Sequence, residues 1–420
     1  MARFCKQYSL IRKTAHLLAL TLIIMVGHWL ISKKQCGFRN NGYCTGQVTG
    51  AKGTQTGLIH PGKNSWIPQS MYRNPSGPIH LKLRDGTCVP YTNYTFLPVT
   101  LTSAYVLNNP DICKSNRQLS FLVAINSGVQ NFDRRKALRE TWANTKLLRY
   151  PKLKVVFLLG RSLNTSIQKI VEMEQFVHRD IVQGEFIDEY HNLTHKGVMG
   201  LRWVSEFCQH AQLVLKVDDD VFLNIFRVIE EIIENEKMTM HSNTGSHILC
   251  NLHNVDKIVR HGKIWSLDYD YFPDCEDYPF SFCNGGFVLM HQNVVPQLLK
   301  LAHTTPFIWM DDIYLYGILA NVAENITLKH AEDLFRVEED ADRCFLESTS
   351  CNMLLVYTKN TTLMKMYWSN ALLQSRELVV KYSNEEFFPI GDGIYLKPHK
   401  IMFLQLTFLS FFFMRLLQQR

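Results

Sequence analysis

The chain has 420 residues, of which 46% are hydrophobic and 20% are charged, and its formal net charge is +7. This composition is typical of a globular protein with room for one large domain plus accessory segments, and it excludes an intrinsically disordered chain. The basic residues are scattered, apart from short pairs, and form no run with interleaved aromatics. The sequence therefore gives no indication of nucleic-acid binding.

The N-terminus carries basic residues before an apolar run over residues 15–31, and this run lacks a good small-residue cleavage site. We expect a signal-anchor that crosses the membrane once, with residues 1–14 in the cytosol and the remainder in a lumen or outside. A cleaved signal peptide is the alternative. The chain has 11 cysteines, and all except Cys5 follow this run. Their number suits an oxidising compartment, and their spacing matches no zinc site.

Five N-x-S/T sequons agree with a lumenal location and predict glycosylation. They begin at Asn93, Asn164, Asn192, Asn325 and Asn360.

Residues 32–116 are rich in Gly, Pro, Asn, Thr and Ser and have no long periodic segment, which predicts a stem region. Strands are expected over 119–125, 154–159, 180–187 and 213–217. Helices are expected between and after them, over 134–141 with Asp133 as N-cap, and over 167–177, 194–208 and 225–235. This alternation predicts an α/β domain over 117–395, with a mainly parallel sheet covered on both faces. The apolar run 401–414 lies in a tail, 396–420, of unknown role.

The most informative segment is the buried strand 213–217, which ends in Asp218, Asp219 and Asp220. Strands of α/β sheets present ligands at their carboxyl ends. Three adjacent carboxylates repel one another unless a cation or a proton relieves them, and Mg²⁺ or Mn²⁺ completed by a substrate diphosphate would do so. Alternation along a strand would put Asp218 and Asp220 on one face and Asp219 on the other. A solvated acidic turn is the alternative.

Six segments, in order, resemble the β-1,3-glycosyltransferases of glycosyltransferase family 31, which are Golgi type II membrane enzymes. The similar segments are RRKALRETW at 134–142, FLLG at 157–160, FIDEYHNLTHK at 186–196, KVDDDVF at 216–222, FCNGGFVL at 282–289 and MDDIY at 310–314. The sequence departs from the family pattern in three places. Asp311 stands where many members have Glu, Gly317 lies one residue further along, and Asn284 precedes two glycines where the family has a third.

The resemblance implies a GT-A (Rossmann-like) fold in a single lumenal catalytic domain. It also implies an inverting transfer of galactose or N-acetylglucosamine from a UDP-sugar to a glycan of a glycoprotein or glycolipid, in β-1,3 linkage, in the Golgi membrane. Mn²⁺ or Mg²⁺ would stabilise the leaving diphosphate. The donor (galactose, N-acetylglucosamine or N-acetylgalactosamine) and the acceptor stay open.

The resemblance also implies roles for individual residues. Asp312 is the expected base that deprotonates the acceptor hydroxyl, and Asp311 is the alternative base or a helix cap. Asp220 is the expected direct metal ligand. Asp218 is expected at the ribose or at metal-bound water, Asp219 in a supporting or solvent-facing position, and His330 as a further ligand to the metal.

The expected nucleotide contacts are Arg134, Arg135, Arg139, Asp188, Lys196 and Asp218. Trp142 is expected in the core, and Trp309 either in the core or stacked on the acceptor sugar.

Two other classes of protein are compatible with these patterns. One is a non-catalytic membrane glycoprotein in which the acidic triplet binds structural Ca²⁺, and the other is a transferase-like domain without activity. A second carboxylate pair at Asp311 and Asp312, which a binding module does not need, favours the enzyme.

Overall fold

The structure is a computed structural model that describes residues 72–73, 79–95, 104–114, 121–146, 153–231, 246–254, 256–331, 341–348, 351, 353–375, 388–390 and 394–396. The expected signal-anchor at 15–31 and the apolar run at 401–414 lie outside these residues. Within the described residues, no helix has both the length and the apolar character needed to span a membrane.

The strands are β1 (Tyr72–Arg73), β2 (Ile79–Lys82), β3 (Cys88–Thr92), β4 (Tyr94–Thr95), β5 (Tyr105–Leu107), β6 (Phe121–Asn126), β7 (Leu153–Arg161), β8 (Ile181–Ile187), β9 (Leu213–Asp218), β10 (Val221–Leu223), β11 (Ser246–His253), β12 (Phe282–His291), β13 (Ile326–His330), β14 (Leu355–Tyr357), β15 (Phe388–Ile390) and β16 (Ile394–Leu396).

The α-helices are α1 (Phe132–Glu140), α2 (Thr165–His178), α3 (Leu193–Phe207), α4 (Ile225–Ile229), α5 (Val294–Ala302), α6 (Asp311–Ile313), α7 (Ala320–Val322) and α8 (Thr361–Gln374). A 3₁₀ turn, Tyr190–Asn192, precedes α3, and π-helical segments cover Tyr314–Leu319 and Arg343–Glu347.

The chain divides into two compact units. One comprises Met1–Leu97, Asn254–Ser281 and Asn321–Glu324, and the other comprises Pro98–His253, Phe282–Ala320 and Asn325–Arg420. In the first unit, β2 pairs antiparallel with β3. Tyr91 from β3 packs against Phe272, and the guanidinium of Arg260 donates to four backbone carbonyls of the segment 268–275. These contacts fix an otherwise irregular aromatic segment.

The second unit is built on an eight-stranded sheet of order β13-β11-β12-β9-β6-β7-β8-β5. The pairs β9–β6, β6–β7, β7–β8 and β11–β13 are parallel, as the alternation of strands and helices predicts. The pairs β9–β12, β12–β11 and β8–β5 are antiparallel. The sheet is therefore mixed, and the expectation of a mainly parallel sheet holds for the four consecutive strands β9, β6, β7 and β8.

The core lies on both faces of this sheet. All six residues of β6 are buried, and Phe121, Val123 and Ile125 belong to a large apolar cluster that also contains Trp142. Trp142 is 1% exposed and its Nε1 donates to the carbonyl of Val221 at 3.1 Å. The core position expected for Trp142 is confirmed, and this side chain holds the strand that follows the acidic triplet.

The helix starts differ from expectation in one case. Helix α1 begins at Phe132, and its N-cap is Asn131, so Asp133 lies in the first turn and not at the cap. A carboxylate there still interacts favourably with the positive end of the helix dipole. In α2, the cap is Asn164, whose side chain accepts from the amides of Ser166 and Ile167.

Three disulfides join residues of the second unit, namely Cys113–Cys208, Cys250–Cys283 and Cys344–Cys351. Cys88 and Cys275 of the first unit are also disulfide-bonded. Such pairing is expected of a protein that folds in an oxidising compartment.

Candidate active site

The acidic triplet sits where the direction of the sheet connections reverses. Strands β7 and β8 extend from one side of β6 while β9 lies on its other side. In α/β sheets, ligands bind beyond the carboxyl ends of the strands at such a point. Asn126, the last residue of β6, lies opposite Asp218, the last residue of β9. The amide of Asp219 then donates to the carbonyl of Asn126 at 3.0 Å.

Asp219 is the most firmly held of the three carboxylates. It is 4% exposed and accepts hydrogen bonds from Ser127 Oγ at 2.7 Å, Asn131 Nδ2 at 2.8 Å and Arg134 Nη1 at 2.8 Å. It does not face solvent, and its place is a supporting one, because these bonds fix the turn that carries its two neighbours.

Asp218 and Asp220 remain partly exposed. The backbone carbonyl of Asp220 accepts from the amide of Thr358 at 2.7 Å, and β10 pairs antiparallel with β14 immediately afterwards. Burial raises the pKa of both carboxyls, to about 6 for Asp218, and neighbouring carboxylates add to the shift. Both groups therefore lie in surroundings where a cation would favour the charged form.

Lys216 connects the triplet to the second acidic pair. Its side chain is buried on the same face of β9 as Asp218, and its Nζ lies 2.9 Å from Asp218 Oδ1 and 3.6 Å from Asp311 Oδ2. The ammonium also donates to the carbonyl of Gly285. One buried cation thus brings β9, β12 and α6 together, and its carboxylate neighbours hold its pKa well above the usual value despite burial.

Asp311 and Asp312 form the first turn of α6. The N-cap is Met310 and no side chain caps this helix, so the expected capping role of Asp311 is wrong. Asp311 is 6% exposed and faces Lys216. Burial, and next the charge of Asp311, raise the pKa of Asp312 to about 7. A carboxyl with such a pKa is suited to accept a proton near neutral pH.

The glycine turn of β12 lies against these carboxylates. A Cβ on Gly285 would collide with Asp312 Oδ1, and a Cβ on Gly286 would collide with Tyr357 Oη. Tyr357 donates to Asn284 Oδ1 at 3.1 Å, and the amide of Gly286 donates to the same oxygen at 3.0 Å. The two glycines are therefore required by the close approach of side chains from α6 and β14.

The sequence did not identify Lys216, Tyr316 or Tyr357 as site residues. Tyr316 is 2% exposed, and burial raises the pKa of its phenol, which also responds to the charges of Lys216, Asp311 and Asp312. Lys216 lies two residues before Asp218, so the period of a strand could have placed it on the same face. Tyr357 is brought in by the β10–β14 pairing, for which the sequence has no local signal.

Two of the three arginines expected at the nucleotide form ion pairs with carboxylates of the protein itself. Arg135 is 0% exposed, and its Nη2 lies 2.7 Å from Glu174 Oε2. Arg139 binds Glu174 at 2.7 Å and Asp180 at 2.8 Å. The structure thus contradicts a direct nucleotide contact for Arg135. The guanidinium of Arg139 is likewise engaged in ion pairs within the protein. Arg135 does act on the site indirectly, since its Nη1 donates to Ser127 Oγ, which donates to Asp219.

Asp188 and Lys196 pair with each other. Lys196 Nζ lies 2.9 Å from Asp188 Oδ1 and donates to the carbonyl of Ser127 at 2.7 Å. The amide of Gly160 donates to Asp188 Oδ2 at 2.7 Å. Lys196 is 2% exposed. The pair connects α3 to the carboxyl ends of β6 and β7. Both side chains are engaged within the protein, whereas the sequence predicted that they contact the nucleotide.

His330 does not lie beside the acidic triplet. It pairs in register with Cys250, Cys250 with Val288, and Val288 with Lys216. Three strand spacings separate it from β9, which is about 14 Å. Its Nδ1 accepts from the amide of Leu252 at 3.0 Å. The expectation that His330 ligates the metal with Asp218 and Asp220 is wrong, because the strand order could not be read from the sequence.

The donor set nevertheless fits a divalent cation. Among the described residues, no group of three or more His, Cys, Asp or Glu side chains could hold a metal ion. Mg²⁺ and related ions in nucleotide enzymes are held by one or two carboxylates plus substrate phosphates, and not by a complete cage of side chains. Asp218 and Asp220, with hard oxygen ligands at the edge of the sheet, match that requirement.

The five expected glycosylation sites differ in access. Asn164, Asn325 and Asn360 are exposed. Asn192 is 8% exposed and its Nδ2, the atom to which a glycan attaches, donates to the carbonyl of Ile187 at 2.9 Å. Asn93 Nδ2 donates to Asp270 Oδ1 at 2.9 Å. The geometry therefore disfavours Asn192 and leaves the three exposed positions as the better acceptors.

Residues 133–332 match the family model described as Galactosyltransferase. This part of the chain is therefore similar to the galactosyltransferase family. It contains both acidic groups and the parallel strands β7, β8 and β9. The resemblance read from the six segments is confirmed by this match.

Similar curated proteins carry related names. The chain is 31% identical over 212 residues to "Beta-1,3-galactosyltransferase 1" of Homo sapiens and of Mus musculus, which covers 50% of this chain and 63% of those proteins. It is 30% identical over 222 residues to "Beta-1,3-galactosyltransferase 2" of Homo sapiens, covering 52% of this chain and 51% of that one. The chain thus matches between half and two thirds of the length of these relatives.

Two solved glycosyltransferases show a weak likeness to this chain. A glycosyltransferase involved in glycosylation of the major capsid of PBCV-1 aligns with 59% of this chain and 99% of its own, at 14% identity and a TM-score of 0.28. The WbbM bifunctional glycosyltransferase aligns with 63% of this chain and 52% of its own, at 10% identity and a TM-score of 0.33. These scores are too low to establish a shared fold.

Proposed function

We propose that this chain is a UDP-sugar-dependent β-1,3-glycosyltransferase of GT-A type that transfers galactose, or alternatively N-acetylglucosamine, to a glycan acceptor with inversion. The observation that carries the proposal is the meeting of two acidic groups around Lys216. Asp218 and Asp220 lie on the donor side at the carboxyl end of β9. Asp312 lies on a separate helix, with its pKa raised to about 7. The galactosyltransferase names of the curated relatives favour galactose.

Asp312 is assigned the role of base. Its carboxylate accepts the proton of the acceptor hydroxyl as that oxygen forms a bond to the anomeric carbon of the donor. The bond between the anomeric carbon and the UDP oxygen breaks in the same step, and its electron pair leaves with UDP. Gly285 allows this carboxylate to approach β12, and its backbone amide favours the ionised form.

Mn²⁺ or Mg²⁺ bound to Asp220 and Asp218 would neutralise charge that develops on the leaving diphosphate. Neighbouring residues hold the turn that carries Asp218 and Asp220 in place. Asp219 fixes the turn through Ser127, Asn131 and Arg134. Arg134 is 24% exposed in its side chain and is the member of the three expected arginines closest to the triplet. It remains the candidate for contact with the diphosphate.

We further propose that the enzyme works in the Golgi lumen as a single-pass type II membrane protein. The disulfides and the exposed sequons support a lumenal domain, and the apolar run at 15–31 supports the anchor.

The test is UDP release by the purified full-length chain in detergent, with a panel of UDP-sugars and free sugar acceptors, each with and without Mn²⁺. We expect metal-dependent release from UDP-galactose that increases with a glycan acceptor. UDP binding without release from any donor would show an inactive relative. Absence of UDP binding with and without Mn²⁺ would overturn the enzyme proposal.

A further inference from the structure

The outward side of helix α2 is apolar, and we call it the α2 apolar face. Its five apolar side chains are between 49% and 79% exposed, namely Leu163, Ile170, Met173, Phe176 and Val177. Leu163 directly precedes the cap of the helix, and the other four lie within the helix. Spacings of three and four residues place Ile170, Met173 and Val177 on one side of it. A contiguous apolar face of this kind marks a surface that something else covers.

The opposite side of α2 is held to the protein by polar side chains. Gln168 Nε2 donates to Gln183 Oε1 of β8 at 2.8 Å, and Gln175 Oε1 accepts from the amide of Ile181 at 2.8 Å. Glu174 binds two arginines of α1. This is the reverse of the usual pattern, in which the apolar side of a helix faces the core. Because turning the helix would break these bonds, the apolar face is fixed toward solvent.

The N-cap of α2 is the first residue of the sequon formed by Asn164, Thr165 and Ser166. Asn164 is exposed, its Oδ1 accepts from the amides of Ser166 at 2.9 Å and Ile167 at 3.3 Å, and its Nδ2 takes no part in the cap. Attachment of a glycan joins Nδ2 to the anomeric carbon of the first sugar, displaces the diphosphate of the glycosyl donor and releases one amide proton. Since Oδ1 still accepts from the two amides, the helix keeps its cap.

A glycan on Asn164 begins at one end of the α2 apolar face. With a rise of about 1.5 Å per residue, Ile170 lies about 9 Å and Val177 about 20 Å along the helix from Asn164. Helical side chains tilt towards the N-terminus, so those of the face lean towards the attachment point. Lys169 and Glu172, which are also exposed, offer hydrogen-bond partners to sugar hydroxyls beside the apolar groups.

We propose that an N-glycan on Asn164 lies along the α2 apolar face and covers it. A pyranose ring has an apolar side of C–H groups that packs on apolar and aromatic side chains, while its hydroxyls stay in water. A second copy of the chain fits this face less well, because a bulky glycan on Asn164 stands at its edge. The inference rests on the proposed lumenal location and is independent of the transfer reaction.

The test measures methionine oxidation by hydrogen peroxide in the full-length chain, produced in cells that attach N-glycans. The peroxide transfers one oxygen atom to the sulfur and leaves as water, and covering a side chain slows this reaction. Ser166→Ala removes the sequon and leaves the cap intact, because Ser166 contributes only its backbone amide to the cap. We expect sulfoxide formation at Met173, followed by peptide mass spectrometry, to be at least threefold faster in Ser166→Ala than in the glycosylated wild type.

Two methionines of α8 serve as references in the same samples. Met366 is 48% exposed and should oxidise equally fast in both proteins, and Met364, which is fully buried, should stay protected in both. Thr362→Ala is the matched control variant, because it removes the sequon of Asn360, which caps α8 in the same way. Met173 should oxidise in this variant at the wild-type rate.

Enzymatic removal of the glycan gives a second comparison without a substitution, since it converts the asparagine to aspartate, which caps a helix equally well. Met173 should then oxidise as fast as in Ser166→Ala. Equal rates with and without the glycan would overturn the inference, and slow oxidation in both forms would mean that a second copy or another segment covers the face. Absence of a glycan from Asn164 in a chain glycosylated at other sequons would also overturn it. Absence of glycans from every sequon would overturn the lumenal location as well.

Discussion

Lys216 joins Asp311 to the acidic triplet, because its Nζ lies 3.6 Å from Asp311 Oδ2 and only 2.9 Å from Asp218 Oδ1. Each carboxylate belongs to a different segment of the chain, and both are directed at a single buried ammonium. Replacing a charged member of such a group leaves the other charges without compensation.

Lys216→Met should destabilise the protein at pH 7 by about 2–4 kcal/mol. A broken buried pair costs about 3–5 kcal/mol, and the lower figure applies because the side chain of Asp218 is 38% exposed. Lys216 lowers the pKa of Asp218, which burial has already raised above its unfolded value. Without the ammonium this pKa rises further, so protonation at lower pH relieves the repulsion.

The variant should therefore recover stability relative to wild type as the pH falls from 8 to 5. Urea unfolding followed by tryptophan fluorescence at several pH values measures this difference. A destabilisation that does not depend on pH would mean that Lys216 acts through packing alone.

Transfer activity should depend on ionised Asp312. Its pKa, raised by burial to about 7, means that the carboxyl is protonated below that pH. We expect kcat/KM to fall about tenfold for each pH unit below about 7. Asp312→Asn should keep UDP binding and lose most turnover. Steady-state rates across the pH range and UDP titrations measure both effects, and full turnover by the variant would move the base to Asp311.

Asp220→Ala should abolish the effect of Mn²⁺ on UDP binding, because Asp220 is a partly exposed carboxylate of the triplet and the proposed direct ligand. His330→Ala is the matched control, since three strand spacings, about 14 Å, separate His330 from the strand that carries the triplet. Calorimetric titration with UDP, with and without Mn²⁺, distinguishes the two variants. Loss of the Mn²⁺ effect in His330→Ala would restore the histidine as a ligand.

Arg135→Met should lower the free energy of unfolding by about 3 kcal/mol, because it removes a fully buried partner of Glu174. Arg139 still neutralises Glu174, which limits the cost. The double variant Arg135→Met, Glu174→Leu should be less destabilised than the single one. A folded variant that loses UDP binding selectively would instead support the nucleotide role expected from the sequence.

Asn126→Leu should leave stability unchanged or raise it by about 1 kcal/mol. Both polar atoms of the Asn126 side chain are buried without a hydrogen-bond partner, and Leu has the same branching. Asn224→Leu is the control and should be destabilising, since the Asn224 side chain donates to Ser375 and accepts from Arg227. Thermal unfolding compares the two. A loss of stability in Asn126→Leu would indicate a buried water bound to this amide.

Much of the central domain follows from local patterns. The strands at 119–125, 154–159, 180–187 and 213–217 were found within two residues of their predicted ends, because buried apolar runs between turn residues are strong signals. The meeting of the acidic triplet with Asp311 and Asp312 also matched the resemblance. The local sequence pattern was sufficient to predict the position of a residue wherever that position depends only on its own strand or helix.

The errors arose where a role depends on distant residues. Arg135 has the composition of a phosphate-binding residue, but Glu174 lies 39 residues further along and takes its guanidinium. His330 was misplaced because strand order in the sheet is set by non-local pairing. Tyr357 was missed because the β10–β14 pairing joins segments more than 130 residues apart, as Val221 and Tyr357 show. No period or motif in a single sequence encodes such contacts.

The segment Tyr314–Leu319 has a consequence for how this site tolerates change. It is a π-helix that directly follows Asp311 and Asp312. A π-turn holds one more residue than an α-turn and is often found at functional sites. Gly317 lies one residue further along than in the common family pattern, as an added residue here would produce. Deleting one residue from this segment would restore α-helical winding and leave the orientation of the residues after it unchanged, because the wider turn takes up the extra residue. The wider turn therefore lets this helix carry one more residue beside the carboxylates without turning its far end away from them.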